Sequence, residues 1–221
     1  MTVVSGNHAR AARQRYNEKS PLPSPHSNVV KVAEADFPTR FGQFRISGFR
    51  AGDDEVIAIV MGDVTVAPPP LVRIHSQCIT GDVFHSLRCD CRAQLELALA
   101  MIAADERGMV IYENKEGRGI GLVNKIRAYE LQDHGADTVE ANEQLGFEAD
   151  LRNYELPAGV LRLLGVTAVR LLSNNPEKIQ ALERAGVQVT ERVPCQPESF
   201  ESAARYLTTK KEKLGHLLEG F

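Results

Sequence analysis

Apolar and polar residues alternate along this chain in a way that predicts strands and helices in turn. Val56 to Val64 is a run of β-forming residues, and Pro68 to Pro70 break the chain before a second strand from Leu71 to His75. Between Cys91 and Arg107, Leu95, Leu97, Leu99, Met101 and Ile102 sit among alanines and charges, which suits a half-buried helix closed by Gly108. Met109 to Tyr112 reads as a short strand. Leu122, Ile126, Tyr129 and Leu131 recur at near-helical spacing, so a helix is expected from Leu122 to His134, with Gly135 ending it.

The last third is the most explicit. Ala168 to Leu172 reads as a strand, Asn174-Asn175-Pro176 as a turn, Glu177 to Ala185 as a helix capped by Gly186, and Val187 to Val193 as a strand. This βαβ unit joins a strand, a polar turn and a helix amino terminus, a common place to bind phosphate. Tyr206, Leu207, Leu214, Leu217 and Leu218 mark a final amphipathic helix. The expected fold class is α/β, a mixed β-sheet flanked by helices. Residues 1–28 are polar, carry Pro21, Pro23 and Pro25 and follow neither period, so they read as a flexible N-terminal arm ahead of one domain at 29–221.

Composition narrows the function. An apolar share of 43% over 221 residues suffices for one ordinary core. A net charge of −3 and a pI near 6.1 provide no basic field for nucleic acid, so any nucleotide must be held by local charges. The longest apolar stretches, such as Val56 to Met61, fall far short of the roughly 20 residues that cross a bilayer. The amino terminus lacks the apolar segment of a secretory signal. A cytoplasmic protein with no membrane partner is expected.

Three of the four cysteines, Cys78, Cys89 and Cys91, crowd together, and in a reducing compartment such crowding points to metal or catalysis before disulfides. Cys195 stands apart beside Pro194 and reads as structural or incidental. Three thiolates leave a fourth tetrahedral position free, which is what a catalytic zinc uses to activate water. Spacing alone leaves two alternatives open: small buried hydrophobic residues, or a structural site closed by His75, His85 or Cys195. The two histidines also read as neighbours of the ligands or as ordinary partly buried residues.

The segments Arg73-Ile74-His75-Ser76-Gln77-Cys78-Ile79-Thr80-Gly81-Asp82, S-L-R-C-D-C, E-G-R-G-I-G-L-x-N-K-I-R-A-Y, D-T-V-E-A-N-E-Q-L-G-F and L-L-S-N-N-P-x-K together resemble the GTP cyclohydrolase II family, in order, from about Lys31 to Leu218. The resemblance implies a catalytic domain at 29–221 that opens the imidazole ring of GTP in riboflavin biosynthesis, releasing formate and diphosphate. It implies zinc on Cys78, Cys89 and Cys91. It implies substrate contacts from Arg73, Ile74, His75, Ser76, Gln77, Gln94, Glu116, Gly117, Arg118, Thr138, Ser173 and Lys178. Asp150 falls on the proposed proton acceptor, Arg152 on the proposed nucleophile toward the α-phosphorus, and Tyr129 near the ring-opening centre. A homodimer is implied by the family alone. Gln77 stands where the family pattern has Glu, Ser173 where it has Thr, and Lys115 where it has Gln.

Chemistry bears on each role. GTP carries about four negative charges, so its triphosphate needs several donors, commonly with Mg²⁺. Arg73, Arg118, Arg152 and Lys178 are the candidates, arginine for bidentate contacts and lysine as a point charge. A carboxylate at Glu116 can accept from both guanine N–H groups or can simply stabilise a helix start. Asp150 and Arg152, two apart, share a side on an extended segment, the conformation expected for them. A guanidinium is a poor nucleophile, so Arg152 either has Asp150 as its base or only stabilises the departing diphosphate. Two other readings stand beside hydrolysis to formate: a diverged paralogue that retains the formyl group or serves a specialised pathway, and a zinc-containing nucleotide sensor without turnover.

Overall fold

The computed structural model describes residues 28–148, 150–197 and 204–218. The expected arm, apart from Asn28, lies outside the described residues. A seven-stranded sheet runs β1(Val30–Thr39), β2(Gly42–Ala51), β3(Asp54–Met61), then β5(Gly108–Glu113), β4(Leu71–Ser76), β6(Ala168–Leu172) and β7(Gln188–Val193) in spatial order. The first four are antiparallel neighbours, whereas β5, β4, β6 and β7 run parallel. The expected mixed sheet is present.

Helices cover both faces. α2(Cys91–Ala104) packs Ala98, Leu99 and Ile102 against Leu71, Val110 and Leu172 on one face. On the other, α5(Glu155–Leu163) and α6(Pro176–Arg184) bury Leu156, Val160, Leu161 and Leu182 against Val72, Ile74, Met109 and Ile111. Strand β4 is buried on both faces, as its unbroken apolar start requires. Its carboxyl end is also where the topology turns, because the chain leaves β4 for β5 on one side and later returns to β6 on the other. Such a switch point leaves a crevice beyond the strand ends.

The expected elements occupy their places with small shifts. The strand expected to reach Val64 stops at Met61, where Gly62 takes a φ of +68°. Four further elements complete the fold beyond those expected: β1, β2, α4(Thr138–Gln144) and α5. β1 is a charged, mostly exposed edge strand that exists through its pairing with β2. α5 tolerates Pro157 because it falls in the first turn, where no helical N–H partner is needed. α1(Ile79–Asp82) and α3(Leu122–Asp133) complete the frame of the site, and α7(Ala204–Leu214) follows β7 near the end of the chain.

Candidate active site

Beyond Ser76 the chain turns at Cys78 into the single turn of α1, while Cys89 and Cys91 bracket the start of α2. This brings all three sulfurs within 4.8 Å of one another, with Cys78 and Cys89 Sγ 3.6 Å apart. Zinc–thiolate bonds of about 2.3 Å imply a tetrahedral edge of about 3.8 Å, so the donor set fits zinc. Gly81 makes room for it. A Cβ there would lie 2.8 Å from Cys89 Sγ and 3.2 Å from Cys78 Sγ.

Electrostatics favour the same occupant. Hydrogen bonding from Cys89 and Cys91, then the charge and hydrogen bond of Lys125, outweigh burial and leave the Cys78 thiol far below the usual thiol range. Its negative neighbour then pushes Cys89 up to about 11 and Cys91 well above the ordinary value. Three thiols cannot all ionise so close together unless a cation sits among them. Among the described residues no histidine or carboxylate joins the group. His75 is turned to Asp82 at 3.2 Å, and Cys195 is buried against the Gln94 carbonyl at 3.6 Å. His85, expected to be partly buried, is instead exposed on the loop after α1, with φ at +57°.

One wall beside the sulfurs comes from α3. Lys125 Nζ donates to Cys78 Sγ and Thr80 Oγ1 at 3.0 Å each and to Glu116 Oε1 at 2.7 Å. Tyr129, one helical turn on, meets Thr80 Oγ1 at 3.1 Å. Glu116 is buried and also accepts from the amides of Ile79 at 2.7 Å and Gly117 at 3.1 Å. Gly117 and Arg118 both take the left-handed conformation, φ +61°, which is rare for arginine and turns this loop tightly. The loop carbonyl at Arg118 accepts from Leu151 N at 3.1 Å, which sets Arg118 next to the segment carrying Arg152.

Two cavities meet at this point. One, of about 690 Å³, contains the three cysteines together with Ser76, Gln77, Glu116, Gly117, Tyr129 and Thr138. The other, of about 590 Å³, holds Arg73, His75, Gln94, Ser173 and Lys178. Ser76, Cys91, Arg118 and Arg152 line both, so the two form one continuous cleft. Among the described residues, no carboxylate lines the second cavity.

The cations there are held in place. Arg73 donates to Gln94 Oε1 at 2.5 Å and to the Leu172 carbonyl at 3.0 Å, and its buried Nε finds no hydrogen-bond partner among the described residues. Lys178 reaches back to the Ile74 carbonyl at 2.8 Å; burial, then Arg73 and Arg152, push its pKa well below normal. Such a lysine regains its charge when an anion arrives. Ser173 Oγ accepts from Asn175 N at 3.1 Å and shapes the turn into α6.

Asp150 and Arg152 do meet, on a segment, 150–153, that is neither helix nor strand. Arg152 N donates to Asp150 Oδ1 at 3.0 Å, the bond of an Asx turn, while the guanidinium grips the same carboxylate with Nε and Nη2. Burial works to raise Asp150, but the bonds and charge of Arg152 prevail and hold it below its usual range. Burial likewise opposes the Arg152 charge, and Tyr154 and Asp150 outweigh it, so the guanidinium stays protonated. Arg152 Nη1 also donates to Ser76 Oγ at 3.2 Å.

Of the residues singled out from sequence, two stand outside the cleft lining. Ile74 is fully buried and contributes its carbonyl to Lys178, and Asp150 sits behind Arg152. Sequence reasoning passed over Asp82, Glu113, Lys125, Lys210 and His216. Asp82 accepts from His75, Cys78 N and Tyr112 at 2.9–3.2 Å, and buried Glu113 accepts from Ser76 Oγ at 2.6 Å. Lys125 lies four residues before Tyr129, a helical spacing that places both on one face. Lys210 and His216 line the second cavity from beyond the last strand.

Fold and cleft together define an α/β protein that presents three thiols and a cluster of cations at the carboxyl end of a buried parallel strand. A family model described as GTP cyclohydrolase II matches residues 30–194, and the chain belongs to that family. GTP cyclohydrolase-2 of Azotobacter vinelandii is 55% identical over 193 residues, covering 86% of this chain and 93% of its own length. GTP cyclohydrolase-2 of Tolumonas auensis is 54% identical over 195 residues, 87% of this chain and 98% of its own. A riboflavin biosynthesis protein of Vibrio vulnificus is 50% identical over 198 residues, 89% of this chain but 54% of its own. Among solved structures, a two-domain 3,4-dihydroxy-2-butanone 4-phosphate synthase from A. baumannii matches with a TM-score of 0.41 at 20% identity, over 76% of this chain and 42% of its own.

Proposed function

We propose that this chain hydrolyses GTP at the entry to riboflavin biosynthesis, opening the imidazole ring and releasing formate and diphosphate. The product is 2,5-diamino-6-ribosylamino-4(3H)-pyrimidinone 5′-phosphate. The observation that carries this reading is the continuity of the two cavities, which sets a thiol cluster and a carboxylate-free cationic pocket at opposite ends of one cleft. A nucleoside triphosphate has the same two ends. Hydrolysis balances with one water opening the ring to a formamide, a second releasing formate and a third splitting the α–β phosphate link.

Cys78, Cys89 and Cys91 would hold zinc, which when bound supplies a Lewis acid and lowers the pKa of water at the ring-opening end. Lys125 neutralises part of the sulfur charge and fixes Glu116, whose carboxylate keeps acceptor capacity toward the guanine edge. Tyr129 and Thr138 lie along the same cavity, where a phenol and a hydroxyl can orient the purine. Arg73, Gln94, Ser173 and Lys178 receive the polyphosphate, with Mg²⁺ as accompanying countercharge. Arg152, protonated and clamped by Asp150, is better suited to stabilise the departing diphosphate than to attack phosphorus.

This reading places the protein in the cytoplasm as a homodimer. For the latter, Val83, Phe84 and Leu87 on the loop after α1 and Val123 and Ile126 of α3 are all exposed, on two segments tied by the Thr80–Tyr129 and Arg88–Asp133 bonds. No helix among the described residues is long and apolar enough to cross a membrane.

The test is a product assay on GTP with zinc content measured alongside. Formate and diphosphate in equal amounts support the proposal. A product heavier by CO identifies the formyl-retaining alternative, for which Gln77 in the cavity lining is the residue to examine. Tight binding of GTP without turnover identifies the sensor.

A further inference from the structure

The second cavity is not closed by the residues of the parallel strands alone. Lys210 and Leu214 of α7 and His216 just beyond it form its remaining wall, facing Arg73, Arg152 and Lys178. These three residues lie past position 194, where the family match ends.

Anchors tie this segment to every part of the site. Lys210 Nζ donates to Asp90 Oδ1 at 2.8 Å, and Asp90 is the residue between Cys89 and Cys91. Asp90 also accepts from Gln94 Nε2 at 2.5 Å, and Gln94 accepts from Arg73, so a chain of polar bonds runs from Lys210 to Arg73. Lys213 pairs with Asp137 and, at 2.9 Å, with Glu140 around the amino end of α4, next to Thr138. Leu217 N donates to the Asn174 carbonyl at 2.8 Å, and Leu207 and Leu218 bury each other. The segment is thus pinned at the cysteine motif, at α4 and at the turn into α6.

We propose that α7 and residues 215–218 form a strap completing the polyphosphate pocket, with Lys210 and His216 as anion ligands that the strap supplies. The chemistry supports it. Lys210 adds a fifth cation to Arg73, Arg118, Arg152 and Lys178 around a cavity without a carboxylate in its lining, an arrangement that favours a polyanion over a monophosphate. The Asp90 contact holds the Lys210 ammonium at the wall of the cavity that Arg73 and Lys178 also line. His216 lies on the same wall, its backbone N bonded to the Lys210 carbonyl at 3.0 Å, which holds the two residues side by side.

This inference rests on the GTP reading for its substrate, but inorganic diphosphate tests it separately. Calorimetry on the full-length chain would compare diphosphate and guanosine binding in the wild type, Lys210→Met and His216→Asn. Loss of a charged hydrogen bond should weaken diphosphate roughly 10- to 100-fold in Lys210→Met, and His216→Asn should also weaken it, by more than twofold. Guanosine binding should stay within twofold. His216→Asn guards against misfolding, since His216 makes no contact with the cysteine motif through Asp90. Hydrogen exchange should show amides of 204–218 protected when diphosphate binds the wild type.

Unchanged diphosphate affinity in both variants, equal weakening of guanosine, lack of protection or no diphosphate binding to the wild type would overturn the strap. A wild type that binds diphosphate with protection yet makes no formate from GTP would sink the GTP reading and leave the strap standing.

Discussion

Lys125 Nζ stands 3.0 Å from Cys78 Sγ and 2.7 Å from Glu116 Oε1, so one ammonium joins the sulfur cluster to the loop that lines the first cavity. Replacing it removes a cation from beside three thiolates and frees Glu116. Lys125→Met is expected to lower zinc affinity on the order of 10- to 100-fold, as removal of groups bonded to metal ligands does. Competition with a chromophoric chelator measures it, and an unaltered affinity refutes the link.

Gly81 offers a steric test of the same cluster. A methyl at this position lies 2.8 Å from Cys89 Sγ, so Gly81→Ala must displace a sulfur. Zinc content and formate release should both fall at least tenfold while circular dichroism stays native. Full zinc occupancy in the variant would show that the cradle is looser than described.

In the cationic cavity, Arg152→Lys keeps charge but loses the two-pronged grip on Asp150. We expect kcat for diphosphate release to fall roughly 10²- to 10³-fold, the range seen when one charge-stabilising donor is removed. Because Asp150 is held below its normal range, its anion persists through neutrality. Any activity loss from its protonation should therefore appear only on the acid side of the ordinary carboxylate range, and a limb near pH 6 must belong to another group.

His216 makes stability depend on pH. Burial, then Lys210, Lys178, Arg152 and Arg118, lower its pKa from 6.5 to about 3. The unfolded chain then binds this proton more readily than the folded one. The contribution is complete above 6.5 and is lost progressively as pH falls toward 3. Urea midpoints between these limits should decline less steeply in His216→Asn; parallel curves would contradict it.

The apolar patch gives a prediction about assembly. Phe84 is 71% exposed and Val123 equally so. If they meet a second copy, Phe84→Ser with Val123→Ser should shift sedimentation from dimer to monomer at micromolar concentration. A dimer that persists would move the interface elsewhere.

Much of the fold was legible in the sequence because its parallel half obeys simple periods. β4, β5, β6 and α6 are apolar runs or amphipathic repeats ended by glycine, and the structure places them accordingly. β1 escaped because Lys31, Glu34 and Asp36 interrupt any apolar alternation on an edge strand. α4 is seven residues long and rests on the Asp137–Glu140 capping box, a local signal in D-T-V-E that outweighs its weak period. For the site, the cysteines announced themselves by crowding and the arginines by their motifs. Lys210 did not, because a lysine within Lys210-Lys211-Glu212-Lys213 reads as part of a solvated face until its long-range partner, Asp90, is known.

Strand β4 and its continuation carry Arg73 in the cationic cavity and Cys78 in the sulfur cluster within six consecutive residues, and neighbours on both sides hold that strand in the sheet. The backbone therefore works as a ruler. It sets a fixed span between the thiol cluster and the cationic cavity, so a ligand that reaches both is selected by its length as well as by its groups. Inserting or deleting one residue there would reverse which side chains face the cleft and alter the span at once, so neither end can be retuned by changing the register of this segment alone.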